Sequence, residues 1–117
     1  MNAQTLEDRL IEFAANIISA SKQADKSFAA EHLSKQLIRS ATSVALNYGE
    51  ARGGESTRDY LHKMKICLKE LRESYVNLKI QKLSMTITNQ DLIENLIDEN
   101  NQLISIFVVS IKNTKTN

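Results

Sequence analysis

No proline occurs in the 117 residues, glycine appears three times, tryptophan is missing and cysteine is single. A chain without proline and nearly without glycine lacks the usual punctuation of turns and sheets, which points to long helices. One cysteine forms no internal disulfide and builds no zinc site, and a solitary thiol suits a reducing compartment. Excess charge is missing too. Lys and Arg number 15 against 14 Asp and Glu, a formal net charge of +1, so net charge alone predicts no dominant pull toward nucleic acid or membrane. No apolar run approaches membrane length, and the start, MNAQTLEDRLIEF, lacks the basic and apolar regions of a secretion signal. The expectation is a soluble, cytoplasmic chain without cofactor or membrane partner. Residues 1–117 suffice for one domain with one packed core.

What is present is helical periodicity. Three times a hydroxyl residue stands three positions before aspartate and just ahead of an apolar run: Thr5, Ser56 and Thr88. Each is expected to cap a helix by accepting from an orphan amide of the first turn. Leu6, Leu10, Phe13, Ile17 and Ala20 then share one face, followed by Leu33, Leu37, Ala41, Val44 and Tyr48 on a second helix. Leu61, Met64, Leu68, Leu71, Tyr75 and Leu78 mark a third, and Ile93, Leu96, Asn100, Leu103 and Phe107 a fourth. Short connections between long helices predict an all-α, antiparallel, up-and-down four-helix bundle. Residues 103–111, LISIFVVSI, are apolar almost all round. Either this is a deeply buried last helix, or it packs on a second subunit through Ile106, Phe107 and Val109.

The stretch LNYGEARGGESTRDYLHK, residues 46–63, has neither the spacing of a dinucleotide loop nor that of a P-loop. It reads as the corner between helices two and three, with Gly53 and Gly54 taking left-handed conformations and Ser56 opening the next helix. Upstream, Arg39, Ser43, Asn47 and Glu50 form a polar seam. Antiparallel pairing would set Arg39 by Glu70, Glu50 by Arg58, and Asn47 by Tyr60 and His62. This is either a ligand site or an interhelical network that fixes register, and the facing spacing favours the network. Its members would be Arg39, Asn47, Glu50, Ser56, Asp59, Tyr60 and Glu70. Losing one member of a buried ionic pair there would cost about 3–5 kcal/mol. His32 and His62 have no partner at metal-ligand spacing, and Cys67, on the flank of the third stripe, has no evident base. No catalytic constellation emerges, so the chain is not expected to be an enzyme.

Helix three also carries Arg58, His62, Lys65, Lys69, Arg72 and Lys79 at helical spacing. Between residues 56 and 82 seven Lys/Arg stand against three Asp/Glu. Arg58, Lys65, Lys69, Arg72 and Lys79 are therefore candidates to grip RNA phosphates. The competing reading consumes the stripe in surface ion pairs, Lys79 with Asp91 and Arg72 with Asp98.

Arg39, Ser40 and Ser43, then Asn47 and Glu50, then Ser56, Asp59 and Tyr60, then residues 69–73 (KELRE) form an ordered pattern over a third of the chain. That pattern resembles the four-helix-bundle family of the bacterial 23S rRNA intervening-sequence proteins. Ala51 and Gly54 stand where many members of the family carry glycine and arginine. The resemblance implies an up-and-down bundle assembled as a homopentamer, with no known catalytic residues. It also implies kinship with the accessory protein of diversity-generating retroelements, a basic barrel that binds a reverse transcriptase and nucleic acid. Two functions follow as expectations: an oligomeric RNA- or ribonucleoprotein-binding module, or a protein-interaction scaffold without nucleic-acid contact.

Overall fold

A computed structural model describes residues 1–115. Helices α1 (Ala3–Ser21), α2 (Phe28–Arg52), α3 (Thr57–Ser84) and α4 (Gln90–Asn113) follow one another through short turns. Each begins where a short polar side chain accepts from a first-turn amide. Ser56 accepts from Asp59 N–H at 3.1 Å, as expected, and Ser27 accepts from Ala30 N–H at 3.1 Å. The other two caps correct the sequence reading. Asn2, not Thr5, caps α1 by accepting from Thr5 N–H at 2.7 Å, and Asn89, not Thr88, caps α4 by accepting from Leu92 N–H at 3.1 Å. Asparagine ranks above threonine as a cap, and in both places the asparagine was within three residues of the hydroxyl.

The corner also closes differently. Gly53 has φ −92°, and no glycine among the described residues has positive φ. Instead Gly53 N–H donates to Glu50 O and Gly54 N–H to Ala51 O, both at 3.1 Å, a tightened last turn that needs no left-handed residue. Gly54 matters for space: a Cβ there would sit 3.1 Å from Ala51 O. The left-handed residue is Met85, φ 59°, closing α3. That conformation costs a non-glycine residue about 1–2 kcal/mol. It is held because Thr86 N–H reaches back to Gln81 O at 3.2 Å while Ile87 drops fully into the core.

Cross-links show the antiparallel order. Arg52 near the end of α2 bonds Glu7 near the start of α1, Lys63 of α3 bonds Glu50 of α2, and Lys82 of α3 pairs with Glu94 of α4. Each helix packs on two neighbours, α2 and α3 most extensively and α1 and α4 least. The stripe expected for α1 is buried throughout. On α3 only Met64, Leu71 and Leu78 of the expected six are buried; Leu61, Leu68 and Tyr75 are half-buried. Their place inside is taken by Cys67, Glu70, Ser74, Asn77 and Gln81.

These polar groups are tied to neighbouring elements. Ser74 Oγ donates to Asn100 Oδ1 at 2.6 Å, and Asn100 Nδ2 donates to Leu71 O at 2.9 Å. Asn77 Nδ2 donates to Leu33 O at 2.9 Å, Gln81 Nε2 to Asn77 Oδ1 at 2.9 Å, and Thr86 Oγ1 to Gln81 Oε1 at 3.0 Å. Phe107 is fully buried and meets Tyr48 edge-on, ring centroids 5.8 Å apart. It belongs to this chain's own core, which corrects its placement at a subunit interface. Phe107→Ala should therefore lower the unfolding free energy by about 3–5 kcal/mol, read from the urea midpoint. Phe107→Glu should abolish the fold, seen as loss of the helical circular-dichroism signal, and should not release folded subunits.

Candidate functional site

The α3 helix turns its polar ladder toward α2 and α4, so the cations between those positions point away from the bundle. Arg58, Lys65, Lys69, Arg72 and Lys79 are all exposed. None of them makes an ion pair among the described residues. Asp91 and Asp98 do not take up Lys79 and Arg72; the pair between these helices is Lys82–Glu94, and Asp98 accepts from Gln102 at 2.8 Å. The expected register is right to within about a turn, but Arg72 and Lys79 are exposed and unpaired among the described residues, while Ser74 and Lys82 make the contacts with α4. Lys79 Nζ instead lies 5.8 Å from the centre of the Tyr75 ring, a cation–π contact.

Lys65, Lys69 and Arg72 surround an open concavity of about 750 Å³ on the outer face of α3 and the flank of α2. Arg39 closes its other side, and Leu68, Val76 and Ile80 supply an apolar floor. Arg58 and Lys79 line no part of it. The structure thus gathers three of the five candidate cations and adds Arg39. The floor was missed in the sequence, although Val76 and Ile80 fall outside the expected stripe and are exposed.

Arg39 does meet Glu70, at 3.2 Å, and also Glu73 at 3.1 Å. The Glu70 carboxylate, then Glu73, raises the Arg39 pKa above its ordinary value. The rest of the expected network does not connect. Glu50 takes Lys63 at 2.6 Å, not Arg58, because Lys63 lies one turn deeper along α3. Asn47 Nδ2 donates within its own helix, to Ser43 O and Ser43 Oγ at 2.9 Å each, and makes no bond to Tyr60 or His62. Ser56 and Asp59 serve the α3 cap. Tyr60 is half-buried, its pKa raised by burial.

Cys67 is fully buried, not on a flank, and its Sγ donates to Val44 O at 3.5 Å. Burial pushes its thiol up to about 12, the opposite of an activated nucleophile. No trio of His, Cys, Asp or Glu gathers at metal-holding distance among the described residues. No helix among them is long and apolar enough to cross a membrane. On α4 Leu103 and Phe107 are core, Ile104, Ile106 and Ile111 are half-buried against it, and Val108 and Val109 remain exposed. One chain thus hides most of what looked like an apolar surplus.

An all-α bundle with a capped glycine corner and an Arg39–Glu70 link across α2 and α3 defines the class. Within it, residues 6–108 match the profile of the 23S rRNA-intervening sequence protein family, so the chain belongs to that family. It is also similar to a crystal structure, at 1.70 Å, of a protein of unknown function from the S23 ribosomal protein family of Bacteroides thetaiotaomicron VPI-5482. The TM-score is 0.81 at 28% identity, covering 96% of this chain and 99% of that one. Comparison with curated proteins found no match.

The Arg39 side chain is 55% exposed and that of Glu70 only 9%. The pair lies between a screened surface bridge, worth about 0–1 kcal/mol, and a buried one. Arg39→Ala should cost about 1–2 kcal/mol, less than the sequence reading implied. The check is a lowered urea midpoint with an unchanged denaturant slope.

Proposed function

We propose that this chain is a non-catalytic, self-associating binding module that holds RNA through the outer face of α3. The observation that carries this reading is the state of Lys65, Lys69 and Arg72. They are exposed, close together around one concavity, and without an ion pair among the described residues. Free cations release condensed counterions when they meet a phosphate backbone, whereas paired ones must first give up a partner. A near-neutral chain can present such a face because its acids are engaged: Glu73, which lines the concavity, is held by Arg39, and Glu99, Glu94 and Glu7 are taken by Arg9, Lys82 and Arg52.

A second reading rests on a different observation. Leu68, Val76 and Ile80 make the floor apolar, and an apolar floor beneath a basic rim also suits a protein-interaction scaffold that contacts no nucleic acid. One experiment separates the two. Lys65→Glu with Lys69→Glu should weaken binding to structured RNA across sequences and lower the magnitude of its salt slope by about 1–2. Unchanged affinity and slope in a folded variant would remove RNA from this face and leave the scaffold.

Self-association, as a homopentamer by the family resemblance, is supported on this chain by Val108 and Val109, exposed side by side on α4, with half-buried Ile106 beside them. Val109→Glu keeps the core intact, because Val109 is 55% exposed. It should shift the light-scattering mass at micromolar concentration from oligomer to monomer without loss of helicity. A wild-type chain that is already monomeric would defeat the proposal.

A further inference from the structure

The α3 cations account for only part of the concavity they surround. A phosphate needs nothing beyond the rim of Lys65, Lys69 and Arg72, yet the floor beneath them is Leu68, Val76 and Ile80. Val76 is 56% exposed and Ile80 45%. Apolar surface left in water beside cations gains nothing from a phosphate, so the floor fits a ligand that is flat and apolar in one part and anionic in another.

Arg39 lines the same concavity but is not free for a phosphate, because Glu70 and Glu73 hold two of its nitrogens at 3.2 and 3.1 Å. N–H bonds of a guanidinium lie in its plane, so these two occupy the edge and leave the faces uncovered. A guanidinium fixed in this way is a stacking surface. Glu73 would repel a phosphate. Arg39 bonds only its Oε2, and a carboxylate oxygen accepts from the exocyclic amine of a base. Gln36, exposed on the α2 side, adds an amide that both donates and accepts.

The apolar ground continues along the flank. Asn77 donates to Leu33 O, which sets the start of α2 beside the end of α3. At that end Leu83 is 83% exposed and Phe28 86%. The Phe28 ring stacks on His32, centroids 6.2 Å apart and planes 12° from parallel. Phe28 precedes Arg39 by about three helical turns, so the two share a face of α2 and stand about 16 Å apart along it.

Given RNA as the partner, as proposed above, we infer that this flank binds unpaired nucleotides. Their phosphates lie on Lys65, Lys69 and Arg72, one base covers Leu68, Val76 and Ile80 beside the Arg39 guanidinium, and a further base stacks on Phe28. A volume of about 750 Å³ is in the range of small-molecule sites and holds a nucleoside. An A-form duplex keeps its bases stacked and turns phosphates and 2′-hydroxyls outward, so it would touch the rim and leave the floor wet. The RNA selected here is a loop, a bulge or a single-stranded end.

The test compares a stem–loop RNA with a blunt duplex of equal phosphate number, over a salt series. The stem–loop should bind about tenfold more tightly, the worth of one stacked base. Phe28→Ala and Val76→Ser, both at exposed positions, should each weaken stem–loop binding by about fivefold with helicity, salt slope and duplex binding unchanged. Lys65→Glu with Lys69→Glu should instead weaken both RNAs and flatten the slope. Equal binding of the two RNAs, or stem–loop affinity unchanged in both apolar variants, would overturn the base contacts and leave RNA on the cations. Absence of salt-dependent binding to either RNA would remove the RNA reading itself, and the base contacts with it. A changed light-scattering mass in Val76→Ser at unaltered RNA affinity would assign the floor to another protein chain and overturn the inference.

Discussion

Ser74, Asn77 and Gln81 each carry a hydrogen-bonding group that must find a partner once α3 is packed, and the partners lie in fixed places. Asn100 comes from α4, Leu33 O from α2, and Thr86 from the turn after α3. A buried amide left without its partner costs about 1–3 kcal/mol, so rotating α3 about its axis would break several bonds at once. Rotation is therefore fixed by polarity as well as by the buried Met64, Leu71 and Leu78, and the outward direction of Lys65, Lys69 and Arg72 is fixed with it. The surface that offers cations to a partner is set in part by amides and a hydroxyl in the core.

The same ladder explains where the sequence was legible. On α1 the buried residues are all apolar or alanine, so three-and-four spacing finds every one but Ala14. On α3 five of the buried residues are Cys, Glu, Ser, Asn and Gln. A rule that follows apolar side chains drifts to Leu61, Leu68 and Tyr75, which the structure leaves half-covered. Arg72 and Lys79 were set against Asp98 and Asp91 by antiparallel register alone, which says nothing of the direction in which they point. Helix order, direction and approximate register survive such an error because loop length determines them. The direction in which a side chain points does not, since one residue moves it by about 100°.

The candidate site was legible to the same depth. Its cations could be named from spacing alone, and Arg39 was correctly set by Glu70. Whether the cations were free depended on which neighbouring acids were already engaged, a property of three dimensions. Phe107 was drawn outward by the apolar run around it, whereas the bundle needed an aromatic ring to fill the space beside Tyr48.

The α3 face follows from the same polar ladder, since the cations that it leaves unpaired stay in reach of solvent. They stand in water, where charges farther apart than about 8 Å are largely screened at physiological ionic strength. One compact phosphate would gain little from cations so spaced and so mobile, because each side chain must be ordered for a single screened contact. The proposed RNA partner differs in that a long polyanion makes several weak contacts together, and the counterions it releases add up along the chain.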